Sequence, residues 1–381
     1  MNRWHVSRWA VTARGAGIAG AAVGASIGVL AAGVAAGLTV KRAAVGRTRL
    51  GGDDPEAGEP LGELRGGAHL VTADDGVPLH VEVDEVADFA RRSTATGETP
   101  YADVTVVFSH AYALNLDSWH YQRKALRGAA RLVLYDQRGH GRSGRGSPAS
   151  ATIDQLGADL ERVIDEVAPD QPLLLVGHSM GGMAVMALAE RQPDLFRDRV
   201  VGIALLGTSS AKVAEVTLGA PAYTAKVLRR AAPGFVAALG RQHRVVERGR
   251  RLSSDLGFLL TKRYSFASDV PPSLVEFTAR MLESTPVDVV AEFFPTFTSH
   301  DKLGALPALH GVETLVLVGD KDLITPADHS RELVRALPGA DLVVLERTGH
   351  MLILERYAEV NRHLLKLLRR ARRAAERPRV R

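Results

Sequence analysis

Residues Gly177-His178-Ser179-Met180-Gly181 stand between a short apolar run at 173–176 and a stretch of helical spacing that begins near Met183. A serine at such a strand–turn–helix junction is placed to act as a nucleophile. The sharp turn pushes its side chain out beyond the end of the sheet. Glycines at 177 and 181 remove side chains that would collide with neighbouring backbone. The free N–H groups that open the next helix then face negative charge developing beside the hydroxyl. This suits attack on an electrophilic carbon with stabilisation of the resulting oxyanion. In a chain with 37 glycines the five-residue pattern alone is a weak signal, and its position between two elements gives it weight. The chain has no cysteine, which excludes a thiol nucleophile, a disulfide framework and a thiolate metal site. No cluster of His and carboxylates at ligand spacing and no phosphate- or dinucleotide-binding glycine pattern occurs, so no metal and no cofactor is expected.

The stretches that must position this serine alternate in character. Residues 77–83 alternate apolar and polar, as a half-buried strand does. Residues 104–108, 132–135, 173–176 and 200–206 are continuous β-branched or Leu-rich runs, which suit strands buried on both faces of a parallel sheet. Ile153, Leu156, Leu160, Val163, Ile164 and Val167 form one helical stripe. The alternation resumes with a strand at 314–318, a helix over 326–337, a strand at 342–345 and a last helix from about 352. The expected fold class is α/β, a mostly parallel sheet flanked by helices. Residues 209–306 interrupt it with several helical stretches and no strong strand signal, and are expected to form a helical cap inserted between core segments 67–208 and 307–368.

Taken with two downstream stretches, the serine junction resembles the α/β-hydrolase family over about residues 68–368. One stretch is Gly319-Asp320-Lys321-Asp322-Leu323-Ile324-Thr325-Pro326; the other is Gly349-His350, after the run at 342–345. In that family the serine is followed along the chain by an acid after a late strand, and then by a histidine. The family's acid lies three residues past the glycine, which carries the role onto Asp322 rather than Asp320. The Gly-His step carries the base onto His350, one of 13 histidines. The resemblance thus implies a catalytic triad of Ser179, Asp322 and His350. His350 takes the proton of Ser179, and Asp322 fixes the imidazole tautomer and stabilises imidazolium. His178 is expected to pack rather than react, because side chains one apart on a tight turn diverge.

The oxyanion hole implied by the resemblance is made of the Met180 N–H and the Tyr112 N–H, the latter in the loop Ser109-His110-Ala111-Tyr112. Here the chain departs from the family, whose usual His-Gly becomes His110-Ala111. Either the loop keeps a negative φ at 111 or the hole is reshaped. Trp119 and residues 136–143 resemble the family's supporting loops. A serine at 179 argues against members with an aspartate nucleophile. Met183, Phe293, Phe294, Phe297 and Leu323 are expected to line an apolar acyl pocket, although each singly also fits ordinary core packing.

Charge and hydropathy at the ends add a second expectation. The net charge of +5 conceals +7 over residues 1–50, +8 over residues 362–381 and −10 on the body between them. An acidic body argues against nucleic acid as a partner. Residues 15–40 are 26 uncharged residues flanked by Arg3, Arg8 and Arg14 before and by Lys41, Arg42, Arg47 and Arg49 after. About 20 apolar residues cross a bilayer, and Trp4 and Trp9 stand where interfacial anchors are useful. A single membrane helix over 15–40 is expected, in preference to a flexible arm or a cleaved leader. A basic segment 1–14 precedes it, a linker 41–66 follows, and a basic tail 369–381 closes the chain. The expected function is a single-pass membrane-anchored serine hydrolase that cleaves small-molecule or lipid-derived carboxylic esters through an acyl-enzyme. Two other readings share these residues: a cofactor-free haloperoxidase- or perhydrolase-like activity, and a non-catalytic hydrolase-fold receptor or scaffold.

Overall fold

Apolar runs without alternation need cover on both faces, and the structure supplies it with one sheet between helices. The computed structural model describes residues 54–88, 101–211 and 254–376. The expected membrane helix over 15–40 lies outside these residues, as do 41–53 of the linker, 212–253 of the expected cap and the last five residues of the tail. Among the described residues no helix is long and apolar enough to cross a membrane.

The strands are β1 (Gly67–Thr72), β2 (Pro78–Asp84), β3 (Tyr101–Ser109), β4 (Ala130–Tyr135), β5 (Leu173–His178), β6 (Val200–Leu206), β7 (Glu313–Gly319) and β8 (Asp341–Leu345). They form one sheet in the order β1-β2-β4-β3-β5-β6-β7-β8. β2 pairs antiparallel with β1 and β4, and from β4 to β8 every pair is parallel. β5 and β6 are buried at every residue. Seven strands fall where the apolar runs predict them. The eighth, edge strand β1, buries Val71 alone and so carries no hydrophobic pattern to read.

Helices α1 (His120–Leu126), α2 (Ile153–Val167), α3 (Met180–Arg191) and α4 (Pro193–Asp198) lie between the strands of the first half. α2 starts where Thr152 Oγ1 accepts the Gln155 N–H at 3.1 Å, an N-cap that satisfies a donor the helix leaves free. Its stripe of Ile153, Leu156, Leu160, Val163 and Ile164 is buried, and each such side chain contributes about 1.5–3 kcal/mol by leaving water. α2 and α3 approach closely at Gly157, where an added Cβ would lie 2.8 Å from Ala187 Cβ and 2.9 Å from its carbonyl carbon.

After β6 the chain leaves the sheet and returns before β7. The excursion opens and closes at one neck, where Ala211 and Asp301 form an isolated antiparallel bridge and the Lys302 N–H donates to Ser210 O at 2.7 Å. Between the two sides of the neck lie helices α5 (Ser254–Ser265), α6 (Pro272–Ser284), α7 (Val287–Phe293) and α8 (Thr296–Ser299). α9 (Ala327–Ala336), α10 (Leu352–Glu355) and α11 (Tyr357–Ala375) complete the described chain.

The contact at Gly157 sets two effects against each other. Alanine there gains about 1 kcal/mol of helix propensity, while crowding the backbone of α3 costs about 1–3 kcal/mol. Gly157→Ala is expected to lower the melting temperature; an unchanged or raised Tm in a thermal melt would show that α3 yields freely.

Candidate active site

One residue turns the chain from β5 into α3. Ser179 does so at φ 53° and ψ −116°, a left-handed backbone that a residue with a side chain adopts only under constraint. The constraint is visible on all sides. The Ser179 N–H donates to Leu206 O at 2.9 Å, and its carbonyl accepts from Gly182 N at 3.0 Å, Met183 N at 3.2 Å and Thr208 Oγ1 at 2.7 Å. An added Cβ at Gly177 would lie 2.6 Å from Gly181 O, and one at Gly181 would run into the Ser109 carbonyl. The expectation that 177 and 181 need glycine thus has a steric reason. Ser179 itself is 6 % exposed, and its hydroxyl caps no helix N–H.

Asp322 and His350 come from the loops after β7 and β8. His350 Nδ1 lies 2.8 Å from Asp322 Oδ2, and both residues are buried. The carboxylate is saturated by neighbours: Oδ1 accepts from Ile324 N and Thr325 N at 2.8 Å each, and Oδ2 also accepts from Thr325 Oγ1 at 2.9 Å. Burial pushes the Asp322 carboxyl up, but the facing His350 and these N–H groups outweigh it and hold it below its ordinary value. Asp320 does not compete for the role. It is exposed, its carboxylate accepts the Thr348 N–H at 3.1 Å and pairs with Lys321 at 3.1 Å. The turn after β6 connects the three residues. Thr208 holds the Ser179 carbonyl, while an added Cβ at Gly207 would lie 3.4 Å from Asp322 Oδ2 and 3.5 Å from His350 Nδ1.

His178 sits beside this group with its ring 5.0 Å from that of His350. Its Nε2–H donates to the His350 carbonyl at 3.0 Å. Burial, with the neighbouring His350 charge second, lowers its pKa to about 3, so it stays neutral and serves as a strut. Trp119 packs against it and against Phe108, with ring centroids 6.3 and 5.0 Å away.

The loop after β3 lies against the same turn, since Ser109 and His110 carbonyls face Gly181. His110 Nε2 accepts the Gln137 N–H at 2.9 Å, which places the proton on Nδ1 for donation to Ala111 O at 2.8 Å. Ala111 keeps a negative φ; the left-handed residue is Ala113, at φ 58°. The loop therefore accommodates alanine at 111 without left-handed backbone there. Thr285 Oγ1, from the segment between α6 and α7, donates to Ala113 O at 3.0 Å and holds it there. Asp136 ties the next loops together, accepting from Leu116 N and Arg142 N at 2.8 Å each. Met180 N opens α3 directly after Ser179.

Of the expected pocket residues, Phe297 packs edge-on to the Tyr112 ring at 5.0 Å, and Phe293 meets His140 at 5.4 Å, itself 6.4 Å from Tyr112. The Tyr112 hydroxyl donates to the Val290 carbonyl of α7, and burial raises its pKa. Met183 is buried in the main core cluster behind the turn. Phe294 and Leu323 are half-buried. Sequence reasoning passed over Thr208, Thr285 and Thr325. Thr325 had a readable signal: an Asp three residues before a Thr, ahead of a proline, is a turn in which side chain and backbone bond locally. No metal-binding group of His and carboxylates occurs among the described residues.

With this geometry in hand, the comparisons are consistent. Residues 104–357 match the alpha/beta hydrolase fold, and the chain belongs to the α/β-hydrolase family. It is 29% identical over 274 residues to the dihydrolipoyllysine-residue acetyltransferase component of the acetoin cleaving system of Cupriavidus necator, covering 69% of this chain and 63% of that protein. Over 135 residues it is 33% identical to the monoacylglycerol lipase of Mycolicibacterium smegmatis, covering 34% of this chain and 46% of that protein. The chain thus spans about 63% of the length of the first of these relatives. In three dimensions it is similar to a thermophilic esterase from Thermogutta terrifontis, with a TM-score of 0.59 and 24% identity, covering 80% of this chain and 99% of that one.

The two neighbouring acids give a direct test. Asp322→Asn leaves the shape intact but supports the wrong imidazole tautomer, and is expected to slow turnover of an activated ester about 10³–10⁴-fold. Asp320→Asn should leave kcat within about twofold, because surface substitutions away from the chemistry are close to neutral. Equal losses in the two variants would remove Asp322 from its place beside the base.

Proposed function

We propose that the protein is a serine hydrolase that cleaves carboxylic esters through an acyl-enzyme on Ser179. The observation that carries this reading is the buried Asp322–His350 pair, joined through the Gly207-Thr208 turn to a serine held at positive φ. With Nδ1 of His350 facing Asp322, its Nε2 is the nitrogen left to serve Ser179. Ser179 Oγ attacks the acyl carbon as its proton passes to Nε2, and the imidazolium is stabilised by the ionised Asp322. The oxyanion is met by the N–H groups of Met180 and Tyr112, each such donor contributing about 3 kcal/mol to the transition state. The ester C–O bond breaks, and the leaving alkoxide takes the proton from Nε2. Water then attacks the acyl-enzyme, giving its proton to Nε2, and the carboxylic acid departs as Ser179 regains its hydrogen.

Tyr112, Phe293 and Phe297 favour an apolar acyl group, and a lipid-derived ester is the substrate class we favour. A monoacylglycerol lipase among the relatives supports it. So do Leu260 and Tyr264, exposed one turn apart on cap helix α5. Membrane attachment through residues 15–40 belongs to the same reading.

Two measurements test these points. A fluorophosphonate probe is expected to label the full chain and not Ser179→Ala; a folded wild type that stays unlabelled would point instead to a non-catalytic receptor or scaffold. A chain lacking residues 1–42 is expected in the supernatant after membrane fractionation, with the full chain in the pellet, and pelleting of both would remove the anchor from the reading.

A further inference from the structure

We propose that Glu355 is a positioning residue for this reaction, a clamp that fastens the cap to the loop carrying His350. The inference rests on the serine-hydrolase reading and adds to it a role for the cap in the chemistry itself. Glu355 ends α10, five residues after His350, and is 8 % exposed. Its two oxygens serve two different parts of the molecule. Oε2 accepts the Gly349 N–H at 2.6 Å, in the histidine loop. Oε1 accepts Ala267 N at 3.0 Å, Ser268 N at 2.6 Å and Ser268 Oγ at 2.6 Å, in the turn that follows cap helix α5. All four donors are neutral, and bonds from a charged acceptor are about twice as strong as neutral ones.

The cap makes a second connection on the other side of the base. The Met351 N–H donates to Ser265 O, the last residue of α5, at 2.8 Å. The approach is so close that an added Cβ at Gly349 would lie 2.7 Å from the same Ser265 carbonyl. Residue 351 is therefore held by the cap directly and residue 349 through Glu355, while the carbonyl of His350 between them is held by His178. The loop needs such support. It enters through Arg347 at φ 50°, a conformation that persists only where surroundings over-determine it. A shift of the imidazole by about 1 Å costs on the order of 100-fold in rate.

A carboxylate at 355 is required because both sides of the clamp present donors. A glutamine amide has one acceptor oxygen and one donor nitrogen. Whichever way it turns, its NH₂ faces an N–H, and either the cap or the histidine loop is released. Turnover of a short-chain activated ester by the full chain, with the rate of fluorophosphonate labelling, reads the effect. Glu355→Gln is expected to lower kcat and the labelling rate in parallel, by about 10- to 100-fold, with KM changed less than about threefold. Ser268→Ala removes one bond on the cap side only, and is expected to lower kcat by a smaller factor with KM again unmoved. Should Glu355→Gln fail to fold, Ser268→Ala decides. A folded Glu355→Gln with kcat within twofold of wild type overturns the proposal, and so does a loss confined to KM, which would make the cap a substrate gate alone. Failure of the underlying reading looks different: there the wild type itself escapes labelling, and the clamp falls with it.

Discussion

The structure is organised around a turn that one residue makes. Between the last residue of β5 and the first of α3 there is only Ser179, and a reversal that tight is available only at positive φ. Such a backbone costs of order 1–3 kcal/mol and persists where its neighbours leave no alternative. Here the neighbours are the elements of the sheet itself. Leu206 at the end of β6 takes the N–H, Thr208 just beyond it holds the carbonyl, and the Ser109 carbonyl at the end of β3 presses on Gly181. β5 can meet these partners only if β3 and β6 flank it in parallel, so that all three strands end on the same side. The crossover helices follow from that, since parallel neighbours cannot be joined by tight hairpins.

The electrostatics around the turn follow a similar economy. Three buried rings lie near it, His110, His140 and His178, and burial lowers their pKa values to about 3, 4 and 3. A neutral His178 places no fixed positive charge beside His350. The ionised Asp322 is the charge that faces it. Neutrality also makes each ring a directional strut with one donor and one acceptor. His178 donates to the His350 carbonyl, and His140 Nδ1 lies 2.9 Å from the Arg138 carbonyl. His178, expected from the sequence to pack rather than react, is a support for the candidate base.

What the sequence made legible follows from how local its physics is. Strands β5 and β6 are apolar throughout because both faces are covered, and an unbroken run of Leu, Val and Ile records that directly. Ser179 was legible because the backbone collision at Gly177 and Gly181 leaves a mark in residue type. Edge strand β1 was not, since its pairing with β2 is made by backbone groups that any residue carries. Asp322 and His350 came through resemblance to a family, and nothing in their own surroundings distinguishes them from Asp320 or from the other twelve histidines. The positive φ of Ala113 was invisible for a further reason: the bond that holds its carbonyl comes from Thr285, 172 residues away in the cap. The expected membrane helix at 15–40 lies outside the described residues and stands on composition alone.

The cap was the least readable part, and the kind of bond it makes explains this. Apart from the Ser268 hydroxyl, it reaches the histidine loop and Glu355 through Ser265 O, Ala267 N and Ser268 N, which are main-chain atoms. It receives the Tyr112 hydroxyl on Val290 O, again main chain. Main-chain partners place almost no demand on residue type, so the fastening leaves little pattern in the sequence. The same freedom has a mechanistic consequence. Cap side chains that take no part in these bonds, Phe293 and Phe297 among them, are able to change without loosening them. On the serine-hydrolase reading, a cap built this way separates choice of substrate from alignment of the reacting groups. The side chains that carry the fastening are few: Tyr112 and Glu355 on the receiving side, with Ser268 and Thr285 on the cap.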